Sequence, residues 1–314
     1  ALTMVFGGCC TNVIAYEQLL NINSRIGSAL TFSQMLFITV QSLPSFLVFS
    51  KSALLPQLRP REVPLSQWAL QVIVLTSGSL LNNWAFAYNV PLTIFIVFRS
   101  AALTGLPVSM LFGFMTLKKR YTMMQFLSVA IVTAGVVLVT LSRTTPRSEA
   151  QTSKSVSAED LTKYSFGIAM MTISLFCTGW LGLLQERTYI KYGPCWREGV
   201  FYTHLLSLPI FLFLGKDVKQ GISSLSTTSS AKSFAILAVN LVTQLICVSG
   251  VNRLTSQVSS VSTNIALTVR KALSLCLSIW WFGNDWNTQL VTGAFMVFSG
   301  SFLYTLNVNK IKKE

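Results

Sequence analysis

Arg270 and Lys271 are adjacent cations inside an apolar run from Val258 to Phe282 that contains no carboxylate. On insertion scales each such charge near a bilayer centre costs roughly 2.5–3.5 kcal/mol, so a neighbouring pair there points to a task. The chemistry that fits is the gripping of a densely charged anion that enters from water. Arg chelates phosphate oxygens through two N–H groups, and Lys acts as a point charge. Consecutive helical residues point about 100° apart, so the two cannot share one narrow face. One would hold a diphosphate while the other reaches a second phosphate or a carboxylate, or closes a structural ion pair; Lys271 is the leading phosphate ligand.

Other polar residues in apolar surroundings extend the candidate set. Arg99 lies inside an earlier span, where it either contacts substrate or pairs with Glu17, the only acid well inside a span. Tyr202 and His204 share a polar patch; Tyr202 would stack on a nucleobase and His204 would hydrogen-bond a ribose or base, while Phe201 reads as packing. Both also suit an interfacial aromatic belt. Asn82, Asn83, Gln244 and Asn264 are amides that would serve a base or an N-acetyl group, or join helix to helix in the membrane. Glu17 and Glu186, near helix ends, would contact a sugar hydroxyl or form gate salt bridges.

These residues must be positioned by membrane-spanning helices. The chain of 314 residues is 52% hydrophobic and 11% charged, with a mean hydropathy of +0.57. Soluble domains average about 25% charged residues, so a soluble class is excluded. The net charge of +14 carries no contiguous basic face, which leaves membrane flanks and an anionic substrate, not nucleic acid, as its explanation. Apolar runs long enough to cross a bilayer recur along the chain. They predict ten spans at 1–20, 29–50, 66–87, 92–116, 122–142, 164–185, 199–215, 232–252, 258–282 and 287–308. The polar connections Lys51–Pro64, Arg143–Lys163 and Lys216–Ala231 read as loops, the second a mobile connector. The six cysteines show no metal-ligand spacing and read as buried free thiols. No metal, no cofactor and no P-loop is expected. Ala1 in place of Met reads as a trimmed terminus, which leaves a removed targeting segment open.

The two halves look related. Spans five and ten share G-x-x-L-x-T-L (Gly135 to Leu141, Gly300 to Leu306), spans two and seven carry Pro44 and Pro209, spans one and six close on Glu17–Gln18 and Gln185–Glu186, and spans four and nine hold Arg99 and Arg270–Lys271. The shared offset predicts two five-helix repeats, 1–142 and 164–308, joined by 143–163 and followed by a basic tail, 309–314. Because five is odd, the second repeat must be inverted, with the binding site between repeats at the midplane. Sorting Lys and Arg by parity puts thirteen on the side of both termini and eight on the other, which makes the termini cytosolic. The fold class expected is therefore an all-α polytopic membrane protein of ten helices in two inverted repeats.

Several stretches carry a resemblance: FGGCCTNVIAYEQL (6–19), FRS (98–100), LKKRY (117–121), LQERTYIKYG (184–193), FYTHLLSLP (201–209), NLVTQLICVSGV (240–251) and TVRKALSL (268–275). They resemble the nucleotide-sugar transporters of the drug/metabolite transporter superfamily, in the branch for UDP-N-acetylglucosamine and UDP-xylose, over nearly the whole chain. The resemblance implies exchange of a cytosolic UDP-sugar for luminal UMP. It also implies that Phe201–His204 hold the nucleotide and Thr268–Lys271 the phosphates. Thr203 and His204 stand where relatives for other nucleotides carry two Asn. UDP-xylose, another UDP-sugar or a free nucleotide stays open as the substrate, as does homodimerisation. Membrane lipids surround the chain. A membrane enzyme acting on lipid phosphate is disfavoured, since such chemistry needs positioned carboxylates and no acidic cluster exists. Lys310 and Lys312, in K-x-K-x-x before Glu314, resemble an endoplasmic reticulum retrieval signal if Glu314 is the natural end; the Golgi is the second expectation.

Overall fold

Eleven helices succeed one another among the described residues: α1 (Cys9–Ile22), α2 (Gly27–Ser42), α3 (Leu65–Trp84), α4 (Ala101–Leu117), α5 (Met123–Ser142), α6 (Ala158–Tyr192), α7 (Trp196–Ser207), α8 (Gly215–Thr228), α9 (Ala231–Thr255), α10 (Ser260–Phe282) and α11 (Thr288–Ile311). The structure, a computed structural model, describes residues 1–22, 26–48, 57–84, 101–142, 158–213, 215–228, 231–282 and 288–311. Among the described residues, three stretches are long and apolar enough to cross a membrane: Ser165–Tyr192, Ser233–Thr255 and Thr288–Leu306. Shorter apolar stretches occupy Leu65–Leu81, Leu106–Leu117 and Met123–Val139. On α11, Val291, Phe295, Phe298, Phe302 and Leu306 form an exposed stripe, while Leu290, Ala294, Val297, Ser301 and Tyr304 are buried. A helix that is apolar on both faces needs a lipid solvent on one of them. The chain is an all-α polytopic membrane protein.

The helices fall into two compact units, each built from both halves of the sequence. Unit 1 comprises Ala1–Val72 and Gln185–Val258. Its helices are held by side-chain bonds. Gln34 Nε2 donates to Asn240 Oδ1 (2.7 Å), and Asn12 Nδ2 donates to the Asn240 carbonyl (2.9 Å), so one fully buried Asn on α9 binds α1 and α2 together. A disulfide joins Cys9 and Cys247, with Cα atoms 4.6 Å apart, where a π-helical turn (Met4–Gly8) and α1 pack on α9. That approach is close: a Cβ at Gly250 would lie 2.7 Å from the Met4 Cβ. Under α7, Phe46 stacks on Phe201 with ring centroids 4.8 Å apart, beside buried Trp68 and Tyr189.

Unit 2 comprises Ile73–Leu184 and Ser259–Glu314. Its core gathers Leu106 and Met110 of α4, Val129 and Val132 of α5, Val261 and Ile265 of α10, and Tyr304 of α11. Here α5 and α11 meet backbone to backbone. A Cβ at Gly135 would lie 2.8 Å from the Gly293 carbonyl, and a Cβ at Gly300 would lie 3.0 Å from the Ser128 carbonyl. Small residues seven apart on each helix, Ser128 and Gly135 against Gly293 and Gly300, thus face one another reciprocally. Small residues of this kind let membrane helices approach closely.

Four expectations change. Within Lys216–Ala231, read as a loop, residues 216–228 belong to α8, whose Val218 is buried and whose Gly221 seats against Ala29 of α2; its Ser and Thr residues suggested a linker, whereas they are the polar residues of an amphipathic helix. Of the connector read as 143–163, residues 158–163 are helical, because α6 begins at Ala158. The end of predicted span 29–50 and the stretch Lys51–Pro64 each supply a two-residue strand, β1 (Leu47–Val48) paired antiparallel with β2 (Gln57–Leu58), the one departure from all-α among the described residues. Cys9 and Cys247 are bonded, not free; Cys10, Cys177, Cys195 and Cys276 are thiols. The pairing joins residues 238 apart, beyond the reach of local spacing. Pro44 and Pro209 behave alike: α2 gives way to a 3-10 turn at Leu43–Phe46, and α7 ends at Ser207 before a short turn at Ile210–Phe213. Proline removes the N–H that would continue each helix.

Candidate anion-binding residues and their setting

The helix that carries the central cations starts at a defined cap. Ser259 Oγ accepts from the Ser262 backbone N–H (3.3 Å), the N-cap arrangement that satisfies an otherwise orphaned donor. From there α10 runs for 23 residues without Gly or Pro. Val261, Ile265, Thr268 and Ala272 are buried along it, and Asn264 Nδ2 donates to Ser109 Oγ of α4 (2.8 Å). Lys271 stands exposed at the middle of α10, and Arg270 beside it is half-buried with its Nε inside the protein. An exposed ammonium at the centre of an apolar helix, held on a fixed backbone, can take a phosphate without first breaking the helix.

The sequence-predicted residues divide between the units. Unit 2 holds Asn264, Arg270 and Lys271, with Asn264 bonded to its neighbour helix as described. Unit 1 holds Glu17, Glu186, Tyr202, His204 and Gln244. Tyr202 is buried, its ring 6.0 Å from Phe46 and 5.0 Å from Phe201 in edge-on contacts. Such contacts stabilise beyond simple burial and fix the ring plane. His204 is buried too, with Nδ1 2.7 Å from the Val200 carbonyl one turn back. That geometry assigns the Nδ1 proton and turns Nε2 into the acceptor. Glu186 is buried on α6, while Glu17 on α1 and Gln244 on α9 are half-buried. Asn82 and Asn83 lie on α3 and Lys310 on α11, with their side chains outside the described residues; Arg99 and Lys312 lie outside them altogether.

Three polar groupings escaped the sequence reading. The amides Asn12, Gln34 and Asn240 are one; each sits in an apolar run, the same signal that singled out Asn264. Gln71 Nε2, donating to Thr188 Oγ1 (3.1 Å), is another. The third surrounds Glu198, whose two carboxylate oxygens accept from the backbone N–H groups of Glu62 (2.8 Å) and Val63 (3.2 Å). Nearby, burial and the Glu198 charge push the Cys195 thiol up to about 11, so it stays protonated and unreactive at neutral pH.

A polytopic helical chain with cations held in mid-span is the profile of a membrane transporter. The chain belongs to the UAA transporter family, whose model matches residues 1–308; it is a transporter and not an enzyme. It is 35% identical to the UDP-N-acetylglucosamine transporter YEA4 of Saccharomyces cerevisiae, over 98% of this chain and 93% of that protein. It is 32% identical to the endoplasmic reticulum GDP-fucose transporter of Drosophila melanogaster (99% and 91%) and 31% identical to the UDP-xylose and UDP-N-acetylglucosamine transporter of Danio rerio (97% and 92%). A protein of known crystal structure, 12% identical, matches 98% of each chain with a TM-score of 0.58, a likeness of fold alone. The resemblance read from the motifs therefore holds over nearly the whole chain.

Proposed function

We propose that the chain carries cytosolic UDP-N-acetylglucosamine into the lumen of the endoplasmic reticulum, or second the Golgi, in exchange for UMP by alternating access. The carrying observation is Lys271, exposed at the middle of α10 beside half-buried Arg270. In this reading the two cations engage the diphosphate, Tyr202 and His204 hold the uridine, and Glu17, Asn82 and Asn83 line the sugar end. Gln244 and Asn264 supply further hydrogen bonds, Arg99 contacts substrate or Glu17, and Glu17 and Glu186 form the gate. The proposed architecture is ten spans in two inverted five-helix repeats with both termini cytosolic. The reciprocal seating of Gly135 and Gly300 in the α5–α11 crossing supports the repeat. Reorientation without a bound anion would carry the charge of the α10 cations across lipid, so it would be slow unless an anion travels with them; this gives obligatory exchange a physical cause.

The names of the yeast and zebrafish relatives support a UDP-sugar, and the zebrafish name keeps UDP-xylose beside UDP-N-acetylglucosamine. The fly relative, matched as fully, favours a second reading in which the nucleotide is GDP. Purified protein in liposomes preloaded with UMP tests both. Uptake of labelled UDP-N-acetylglucosamine that requires internal UMP, and that UDP-xylose and GDP-fucose compete less well than the unlabelled substrate, is the expected result. Uptake indifferent to internal UMP would overturn exchange, and better competition by another nucleotide sugar would overturn the substrate.

A further inference from the structure

On unit 1, three segments distant in sequence converge on one cavity of about 490 Å³. Arg59 follows β2, its backbone N–H bonded to the Phe46 carbonyl (2.8 Å). Arg197 lies in the first turn of α7 with its guanidinium 5.5 Å from the Trp196 ring, and Arg253 lies in the last turn of α9. All three line the cavity, together with Glu62 and Glu198. Glu198 is already committed: both its oxygens hold backbone N–H groups of the 62–63 segment, which leaves three arginines lining the cavity with one carboxylate, that of Glu62, not so engaged. The bland explanation is that each arginine is an ordinary membrane-flanking cation, and Arg253 also suits a helix C-terminus. That accounts for them singly. It does not account for their convergence, from three segments with fixed backbones, on one concave space within the roughly 300–1,000 Å³ typical of ligand pockets.

We propose that this cavity is a phosphate-anion site, separate from the cations of α10. Guanidinium groups match phosphate oxygens in geometry as well as charge, and the first turn of α7, which lines the cavity, adds the favourable end of a helix dipole. The ligand is a phosphate-bearing anion, either the diphosphate of a free nucleotide or the headgroup of an anionic phospholipid. Where the source is the nucleotide, the site captures substrate on the side that the charge distribution makes cytosolic. That capture role rests on the transport reading; the binding does not.

The test places a reporter at the rim, Gln257→Cys, an exposed residue that lines the cavity. Maleimide labelling of position 257 in the full purified chain is read by mass spectrometry in low salt. Inorganic pyrophosphate and UDP are added in detergent, and nanodiscs with and without phosphatidylserine are compared separately. Pyrophosphate or UDP should slow labelling. In an Arg59→Gln/Arg253→Gln background the protecting concentration should rise about 100-fold, taking about tenfold for each charge-assisted contact. Both arginines are exposed, so folding should be unaffected. Protection by phosphatidylserine alone supports the site with the headgroup as its ligand. No protection in either arm, or protection that survives the double substitution, overturns the proposal. Protection without any nucleotide-sugar uptake would leave this site standing and remove the transport reading instead.

Discussion

In unit 1 the helices are joined by groups that bond in defined directions: the amides of Asn12, Gln34 and Asn240, the Cys9–Cys247 disulfide, and the Glu198 carboxylate on two backbone N–H groups. In unit 2 the α5–α11 crossing works by removal of bulk, with Gly135, Gly293 and Gly300 bringing two backbones together. Both devices answer the same solvent. Lipid gives no hydrophobic drive for helices to associate, so a membrane protein must use hydrogen bonds, covalent links or close van der Waals contact. Directional bonds specify a partner; bare backbone contact maximises dispersion and needs no polar side chain at the crossing. It is in unit 2 that α10 presents Lys271 at its midpoint.

If the cations of α10 serve the substrate and not the packing, Lys271→Ala should remove uptake with little loss of stability. A fall of roughly 100-fold or more is expected, the loss of a charge-assisted phosphate grip at low dielectric. Uptake assays beside thermal unfolding of the same variant separate the roles; unchanged transport would take Lys271 out of the site.

The next contrast concerns how each unit is glued. Gly300→Ala would place a Cβ 2.8 Å from Val132 Cγ2 and 3.0 Å from the Ser128 carbonyl, and should destabilise by about 1–3 kcal/mol. Gly7→Ala, with nothing within 4 Å of the new carbon, should not. In unit 1, Asn240→Leu would strand the Gln34 amide and remove a donor to the Asn12 carbonyl, while the Asn12 side chain keeps its bond to the backbone carbonyl of residue 240; the cost should be about 1–2 kcal/mol. Thermal melts of the three variants under one condition test the comparison directly. An innocuous Gly300→Ala would mean the crossing can slide apart.

The disulfide gives a yes-or-no test of unit 1. A protease site placed between residues 143 and 157, once cut, should leave two fragments that stay together on a non-reducing gel and separate under reductant; the Cys9→Ser variant should separate in both.

The smallest effect is local. With its thiol raised to about 11, Cys195 should label slowly at neutral pH, about tenfold faster for each pH unit up to that value, as the thiolate fraction dictates. Glu198→Gln should quicken labelling only modestly, because burial is the larger cause. A rate already flat above pH 8 would contradict that environment.

Much of this protein is legible in one dimension. Mean hydropathy and run length give the membrane class, because lipid permits only internally bonded helices or closed barrels to cross it. The Arg270–Lys271 pair stands out because an apolar run makes every charge conspicuous. The glycine pattern of spans five and ten is visible because small residues must recur where helices touch. A helical pattern reports which face is apolar, however, and not which neighbour covers it. Asn240 and Gln244 look alike in sequence, yet only Asn240 is fully buried between Asn12 and Gln34. Tyr202 reads as a ring that would stack on a nucleobase, and the sequence gives no sign that Phe46 and Phe201 pack edge-on against it. The pairing of Cys9 with Cys247 and the gathering of Arg59, Arg197 and Arg253 join residues that the chain keeps far apart. Those meetings depend on which helices pack together, a choice made by the summed contacts of whole surfaces and recorded at no single position.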